Sequence, residues 1–252
     1  MILSSLIRAR FLRRYKRFFV DCQLENGEVI TAHCPNSGSM KSLLDEENGV
    51  LIEDVSSRGG KLKYKLHFVF VKKSSAWVLL NTMLPNVLVR EAIEMGSVCE
   101  LAGYELLRPE VKYGVEGSRI DLLLESSSRP PCFVEVKNVT LLEEEDEKKG
   151  IVRFPDSVSS RGAKHLRELC TEVEKGNRAV MFYLVDREDG NLFGIAGHID
   201  KKYKEEFEKA LESGVEVLVY KASFVVSQAE DLYWRCEIAV SEKLELEKMK
   251  KS

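Results

Sequence analysis

Asp121, Glu135 and Lys137 are the residues whose types and spacing could do chemistry. Asp121 sits in SRIDLLLE among Ile120, Leu122, Leu123 and Leu124, where an ionised carboxylate is out of place. In CFVEVKNVT, Glu135 and Lys137 are two apart, so a strand projects both from one face while Val134 and Val136 fill the other. Buried charges must be paired or must coordinate a cation. Two carboxylates at the ends of adjacent strands make a hard oxygen site suited to Mg2+ or Mn2+, and the candidate metal-binding set is Asp121, Glu135 and Val136. A cation there polarises a phosphoryl group and supplies a nucleophile, while a neighbouring lysine positions water or neutralises charge on the phosphate. The chemistry is phosphodiester hydrolysis. The alternative is a structural Lys–Glu pair with Asp121 at a strand end.

E-x-K alone is a weak pattern, and it occurs elsewhere as Glu110-Val111-Lys112 and Glu147-Lys148-Lys149. The latter lies in the run EEEDEKKG, read as a solvated loop, and the former follows Pro109 without an acidic strand before it. Only Glu135-Val136-Lys137 is set in the order acid, hairpin, E-x-K, helix, strand that a nuclease-type fold requires.

The elements that must position these groups fall in residues 83–252. Helical spacing runs from Asn86 to Leu101, and strands are expected at 105–113, 119–125 and 132–140. A helix over 160–175 carries Leu166, Leu169, Cys170 and Val173 on one face, with Ser159 or Ser160 as cap and Gly176 as stop. A buried strand follows at 178–185, so strand, helix and strand imply a parallel right-handed crossover. A helix at 201–211 and a strand at 215–220 extend the unit, 232–240 is expected to pair at an edge, and SEKLELEKMKKS reads as a charged helical tail. The link 141–159 reads as a functional or mobile loop. Arg161 and His165 share a helix face beside the strand ends and are candidate nucleic-acid contacts.

Residues 1–82 read as all-β, with about five short strands and a hairpin marked by Asn26-Gly27. An OB-like barrel is the expected form. Its opening segment carries Arg8, Arg10, Arg13, Arg14, Lys16 and Arg17 before the first acid, with Phe11, Tyr15, Phe18 and Phe19 among them. Basic charge holds phosphates and aromatics stack on unpaired bases, so Arg13, Arg14 and Arg17 are candidate nucleic-acid contacts. The alternative is an exposed edge strand kept soluble by its charges.

Composition restricts the rest. A net charge of −3 gives no global basic field, so nucleic acid must be met by local patches. The six cysteines are dispersed with no C-x-x-C pair, which excludes a zinc ribbon and fits a reducing cytoplasm. No apolar run is long enough to span a membrane.

The arrangement resembles the PD-(D/E)XK nuclease superfamily, and the whole chain resembles the sugar fermentation stimulation protein family. The resemblance rests on AHCPNSGSM (32–40), LLNTMLPNVLVREAI (79–93), GSRIDLLL (117–124), CFVEVKNVTL (132–141) and FPDSVSSRGAKHLREL (154–169). It implies a mixed α/β chain: a small OB-like β-barrel over 1–82, then a nuclease-like domain over 83–252 with a central mixed sheet flanked by helices. It also implies DNA binding linked to sugar utilisation; single-stranded or structured DNA and a homodimer stay open. A further acid from the first helix of the core is implied as a metal or water ligand, with Glu91 the candidate and Glu94 its competitor. The expected function is a DNA-binding, metal-dependent nuclease. The alternatives are a non-cleaving DNA-binding regulator that keeps the fold, and a hydrolase of small phosphoesters.

Overall fold

A computed structural model describes residues 1–230 and 232–248. The chain opens with strands β1 (Ile2–Tyr15), β2 (Phe19–Leu24), β3 (Val29–His33), β4 (Gly49–Asp54), β5 (Tyr64–Val71) and β6 (Ala76–Leu79). Helix α1 (Pro85–Glu94) is followed by β7 (Leu106–Tyr113), β8 (Ser118–Glu125), β9 (Cys132–Val139) and β10 (Ile151–Phe154). Then come α2 (Ser160–Glu174), β11 (Arg178–Val185), β12 (Leu192–Ile195), α3 (Lys201–Glu212), β13 (Glu216–Glu230), β14 (Tyr233–Lys243) and β15 (Glu245–Leu246). The fold is mixed α/β and mostly sheet.

The first five strands pair as β1–β2, β2–β3, β3–β5, β5–β4 and β4–β1, a circuit that returns to β1, and β6 pairs with β5. Phe11, Val20, Cys22 and Ile52 fill its interior. The later strands run β14-β13-β11-β9-β8-β7, with β9, β11 and β13 parallel. Parallel neighbours need a crossover, and α2 and α3 supply it. They pack on one face over Leu166, Leu169, Tyr183 and Phe207, while α1 covers the other through Leu88, Val89 and Ala92. In α2 the Ser159 hydroxyl accepts from Gly162 N–H at 3.0 Å, and Gly176, at φ +85°, ends the helix as its position predicts.

β1 departs most from expectation. The basic opening segment is not an edge strand. It pairs with β14 over Ile2–Ile7, with β4 over Leu6–Arg10 and with β2 over Ala9–Tyr15. One strand thus joins both parts of the chain into a single sheet. β14 likewise lies between β13 and β1 rather than at an edge. Local pattern carries no information about which distant partner a strand finds.

Three further expectations are corrected. The helix begun near residue 86 stops at Glu94, because Gly96 turns the chain at φ +74° and only a short 3-10 turn follows at Cys99–Leu101. The tail is strand rather than helix as far as Leu246, since Leu244 and Leu246 alternate onto the core; residues 249–252 lie outside the described residues. The link 141–159 is not structureless, for β10 lies within it and pairs with β12 in a small parallel sheet. Among the described residues no helix is long and apolar enough to cross a membrane.

Because β1 belongs to both parts, the protein should unfold as one cooperative unit. Leu6, fully buried where β1 meets both β4 and β14, is the sensitive point. Leu6→Ala should lose about 2–5 kcal/mol and keep a single calorimetric transition. Two separated transitions would contradict the shared strand.

Candidate functional site

β8 and β9 pair over only three residues, Leu122–Leu124 against Cys132–Val134. Beyond Leu122 a side chain replaces the backbone ladder: Asp121 Oδ2 accepts the Val136 N–H at 2.7 Å. Its other oxygen, Oδ1, accepts from the Asn86 amide at 2.7 Å, so the first turn of α1 fixes the carboxylate from the opposite side. Val136 thus enters the site through its backbone, while its side chain stays in the apolar core.

Glu135 and Lys137 project from β9 toward α2, as two residues of one strand face must. Glu135 is 2% exposed. Its Oε1 accepts from Lys137 Nζ at 2.6 Å and from the His165 ring. Its Oε2 is buried and has no partner. Arg161 Nε donates to His165 Nε2 at 3.3 Å, which leaves Nδ1 as the ring's donor to Glu135. Burial pushes the Glu135 carboxyl up, but the Lys137 ammonium and His165 outweigh it and hold it below the ordinary range. Asp121 is pushed up to about 6, by burial first and the Glu135 carboxylate second, with Lys137, the Val136 amide and Asn86 opposing.

The arrangement is two carboxylates that repel one another, one ammonium, and one buried oxygen facing nothing. That is the donor set a divalent cation fits: hard oxygens, excess negative charge and an unmet acceptor. Glu143, Glu145 and Asp146 also bring carboxylate oxygens within 4.8 Å of one another. There Arg153 clasps Asp146 and His198 sits 2.8 Å from Glu143, and among the described residues no strand or helix ties these acids to Asp121, Glu135 and Lys137.

The structure thus joins Asp121, Glu135, Lys137 and Val136 and adds His165 to them. His165 is no surface contact for phosphate, being buried against Glu135. Arg161 remains exposed above it. Glu91 is not brought to the site; it pairs with the Met1 amine at 3.0 Å, because five residues beyond Asn86 a helix has turned by about 140°. Glu94 pairs with Arg90. Two arginines of the basic opening segment are also committed. Arg13 pairs with Asp21 at 2.8 Å, and Arg14 donates to the carbonyls of Asn36 and Gly38, holding that loop. Arg17 sits in a tight turn at φ +63°.

Sequence reasoning missed Asn86, whose only signal is its place at the start of a helix. It also missed Tyr113, whose buried hydroxyl lacks a partner and is pushed up by burial, then by Glu135 and Glu168. Asp156 accepts from Ser39 N–H at 2.9 Å and ties the two parts together. A Cβ at Gly38 would lie 1.9 Å from that carboxylate, so only glycine permits the approach.

With this geometry in view, the comparisons with known proteins are informative. Residues 83–228 match the model of the sugar fermentation stimulation protein RE domain, and residues 12–80 that of the SfsA N-terminal OB domain. A sugar fermentation stimulation protein homolog of Geotalea uraniireducens is 49% identical over 217 residues, covering 86% of this chain and 90% of its own. One from Acidithiobacillus ferrooxidans is 47% identical over 223 residues, covering 88% and 92%. Among solved structures, SfsA of Pyrococcus furiosus in complex with Ca2+ aligns over 98% of both chains, with a TM-score of 0.80 and 26% identity.

The folded protein holds the Asp121 proton more tightly than the unfolded chain does. Its contribution to metal-free stability is therefore complete below the ordinary value of 3.8 and is lost as pH rises through about 6. The loss is on the order of 2–3 kcal/mol. Asp121→Asn, with the Asn86 amide turned to accept, should escape it. In EDTA the variant should melt with wild type near about pH 4 and several degrees higher near neutrality. A gap that does not grow with pH would contradict this electrostatic picture.

Proposed function

The chain belongs to the sugar fermentation stimulation protein family, and on that premise we propose that it is a DNA-binding, divalent-metal-dependent nuclease that hydrolyses phosphodiester bonds. The observation that carries this reading is the unpartnered Glu135 Oε2 beside Asp121 and Lys137. In this reading the circuit of β1 to β5 is an OB-like barrel within residues 1–82. Residues 83–252 form a PD-(D/E)XK nuclease-like domain, α1 and α2 covering its mixed sheet.

Asp121 and Glu135 would hold Mg2+ or Mn2+, which supplies Lewis-acid polarisation of the phosphate and an activated water. The Pyrococcus furiosus relative, solved with Ca2+, supports a divalent cation in this family. Lys137 holds Glu135 in place and presents its ammonium where charge develops on the phosphate. His165 fixes the same oxygen from α2, which would leave Oε2 free for a cation. Asn86 and the Val136 amide orient Asp121. Arg161, exposed at the first turn of α2, would meet the backbone phosphates in this reading.

One observation favours a second reading, the non-cleaving DNA-binding regulator. Both Asp121 oxygens already accept hydrogen bonds, and Glu135 Oε1 already has two partners, so the centre is partly satisfied without a cation.

A panel of labelled single strands, duplexes, flaps and junctions, each with Mg2+, Mn2+ or EDTA, separates the two. Wild type should cut at least one substrate only with metal. Glu135→Ala and Lys137→Ala should each reduce the rate by at least about a hundredfold. At limiting metal the rate should fall as pH drops, because Asp121 must lose its proton to take the cation. Binding without cutting under any metal would leave the regulator.

A further inference from the structure

The sequence places its aromatic and basic residues together at the start of the chain, but the fold separates them. Phe11 goes into the core, and Tyr15 stacks on Phe19 with ring centroids 5.4 Å apart. Phe18 alone stands out, 45% exposed, in the turn between β1 and β2. Its ring lies parallel to His33, with centroids 6.4 Å apart and an angle of 16°.

The stack forms one wall of an open cavity of about 610 Å3, whose lining includes Pro35, Lys61, Lys65 and Met83. No acid lines it. Arg58, also at its wall, is paired with Glu53, but neither Lys61 nor Lys65 has a salt-bridge partner among the described residues. Apolar faces with cations at the margin suit a planar apolar ring carrying anionic charge alongside.

The cavity also leads somewhere. Pro35 belongs to its wall, and the next residues, Asn36, Ser37 and Gly38, line a second cavity of about 220 Å3. Thr82, bonded to the Pro35 carbonyl at 2.9 Å, and Asn138 line that one too. Asn138 directly follows Lys137 at the same end of β9, with its side chain on the other face of the strand. One polar loop therefore separates the aromatic wall from the end of β9.

We propose that the Phe18–His33 wall is a stacking site for an unpaired nucleobase, with Lys61 and Lys65 on the adjoining phosphates, so that a single strand anchored there runs over the 35–38 loop toward the metal centre. This deepens the nuclease reading and rests on it for the choice of nucleic acid. It names single strands, or the unpaired segment of a junction or flap, as the substrate class. A duplex keeps its base faces stacked and cannot offer one to Phe18.

Binding is tested without metal, so that it is read apart from cleavage. Fluorescence anisotropy in EDTA would compare a labelled oligothymidylate of about 16 nucleotides with a duplex of equal length. Phe18 is exposed, so Phe18→Ala should fold; it should weaken oligothymidylate binding about tenfold and change duplex binding less than about twofold. Phe18→Trp should retain binding. Lys61→Ala should flatten the salt dependence, lowering the slope of log affinity against log salt by about 0.7. Equal loss on both nucleic acids, unchanged oligothymidylate binding in Phe18→Ala, or no oligothymidylate binding by wild type would overturn the proposal. Stacking-dependent binding without metal-dependent cutting would sink the nuclease reading and leave this site standing.

Discussion

Glu135 and Asp121 put two carboxylates on neighbouring strands, one buried and one half-buried, where one lysine cannot neutralise both. Much of what surrounds them can be read as a response to that repulsion. Lys137 and the His165 ring share one Glu135 oxygen, and burial with the Glu135 charge pushes Asp121 up to about 6. A core of apolar residues at the same positions would be more stable. Retaining such a cluster, with one oxygen left unmet, makes sense as preparation for a cation.

Holding it takes contributions from distant sequence. Asn86 comes from α1 and His165 from α2, on opposite faces of the sheet. The entry to α2 is itself fixed: Asp200 accepts from both Ser159 N–H and Tyr203 N–H at 2.9 Å, binding the starts of α2 and α3 together. Tyr183 and Tyr203 meet hydroxyl to hydroxyl behind them. From the first part of the chain, the Ser39–Asp156 bond and the Arg14 donors hold the 36–39 loop over the same end of the sheet. β1, common to both parts, makes that relation rigid.

The chemistry was more legible in the sequence than its supports. Asp121, Glu135 and Lys137 were readable because charge inside an apolar strand breaks a strong pattern. α2 was readable because cap, stripe and stop agree, and the first hairpin because Asn26-Gly27 demands a tight turn. The partners were not, since they depend on pairings far apart in the chain. Glu91 was sought as an acid on the right helix, yet its turn of the helix faces the Met1 amine and Asn86 takes the place. The arginines of the opening segment looked free because local reading cannot see Asp21 across the hairpin or the carbonyls of the 36–39 loop. His165 looked like a surface residue because nothing in its helix shows that Glu135 lies beneath it.

The most direct measurement of the central claim is a crystal structure grown with Mn2+, read by anomalous scattering. One peak should lie between Asp121 and Glu135, about 2.1 Å from Glu135 Oε2, with Lys137 still on Oε1. A peak at Glu143, Glu145 and Asp146 instead, or none on the described acids at saturating Mn2+, would contradict it and leave the carboxylate pair a structural feature.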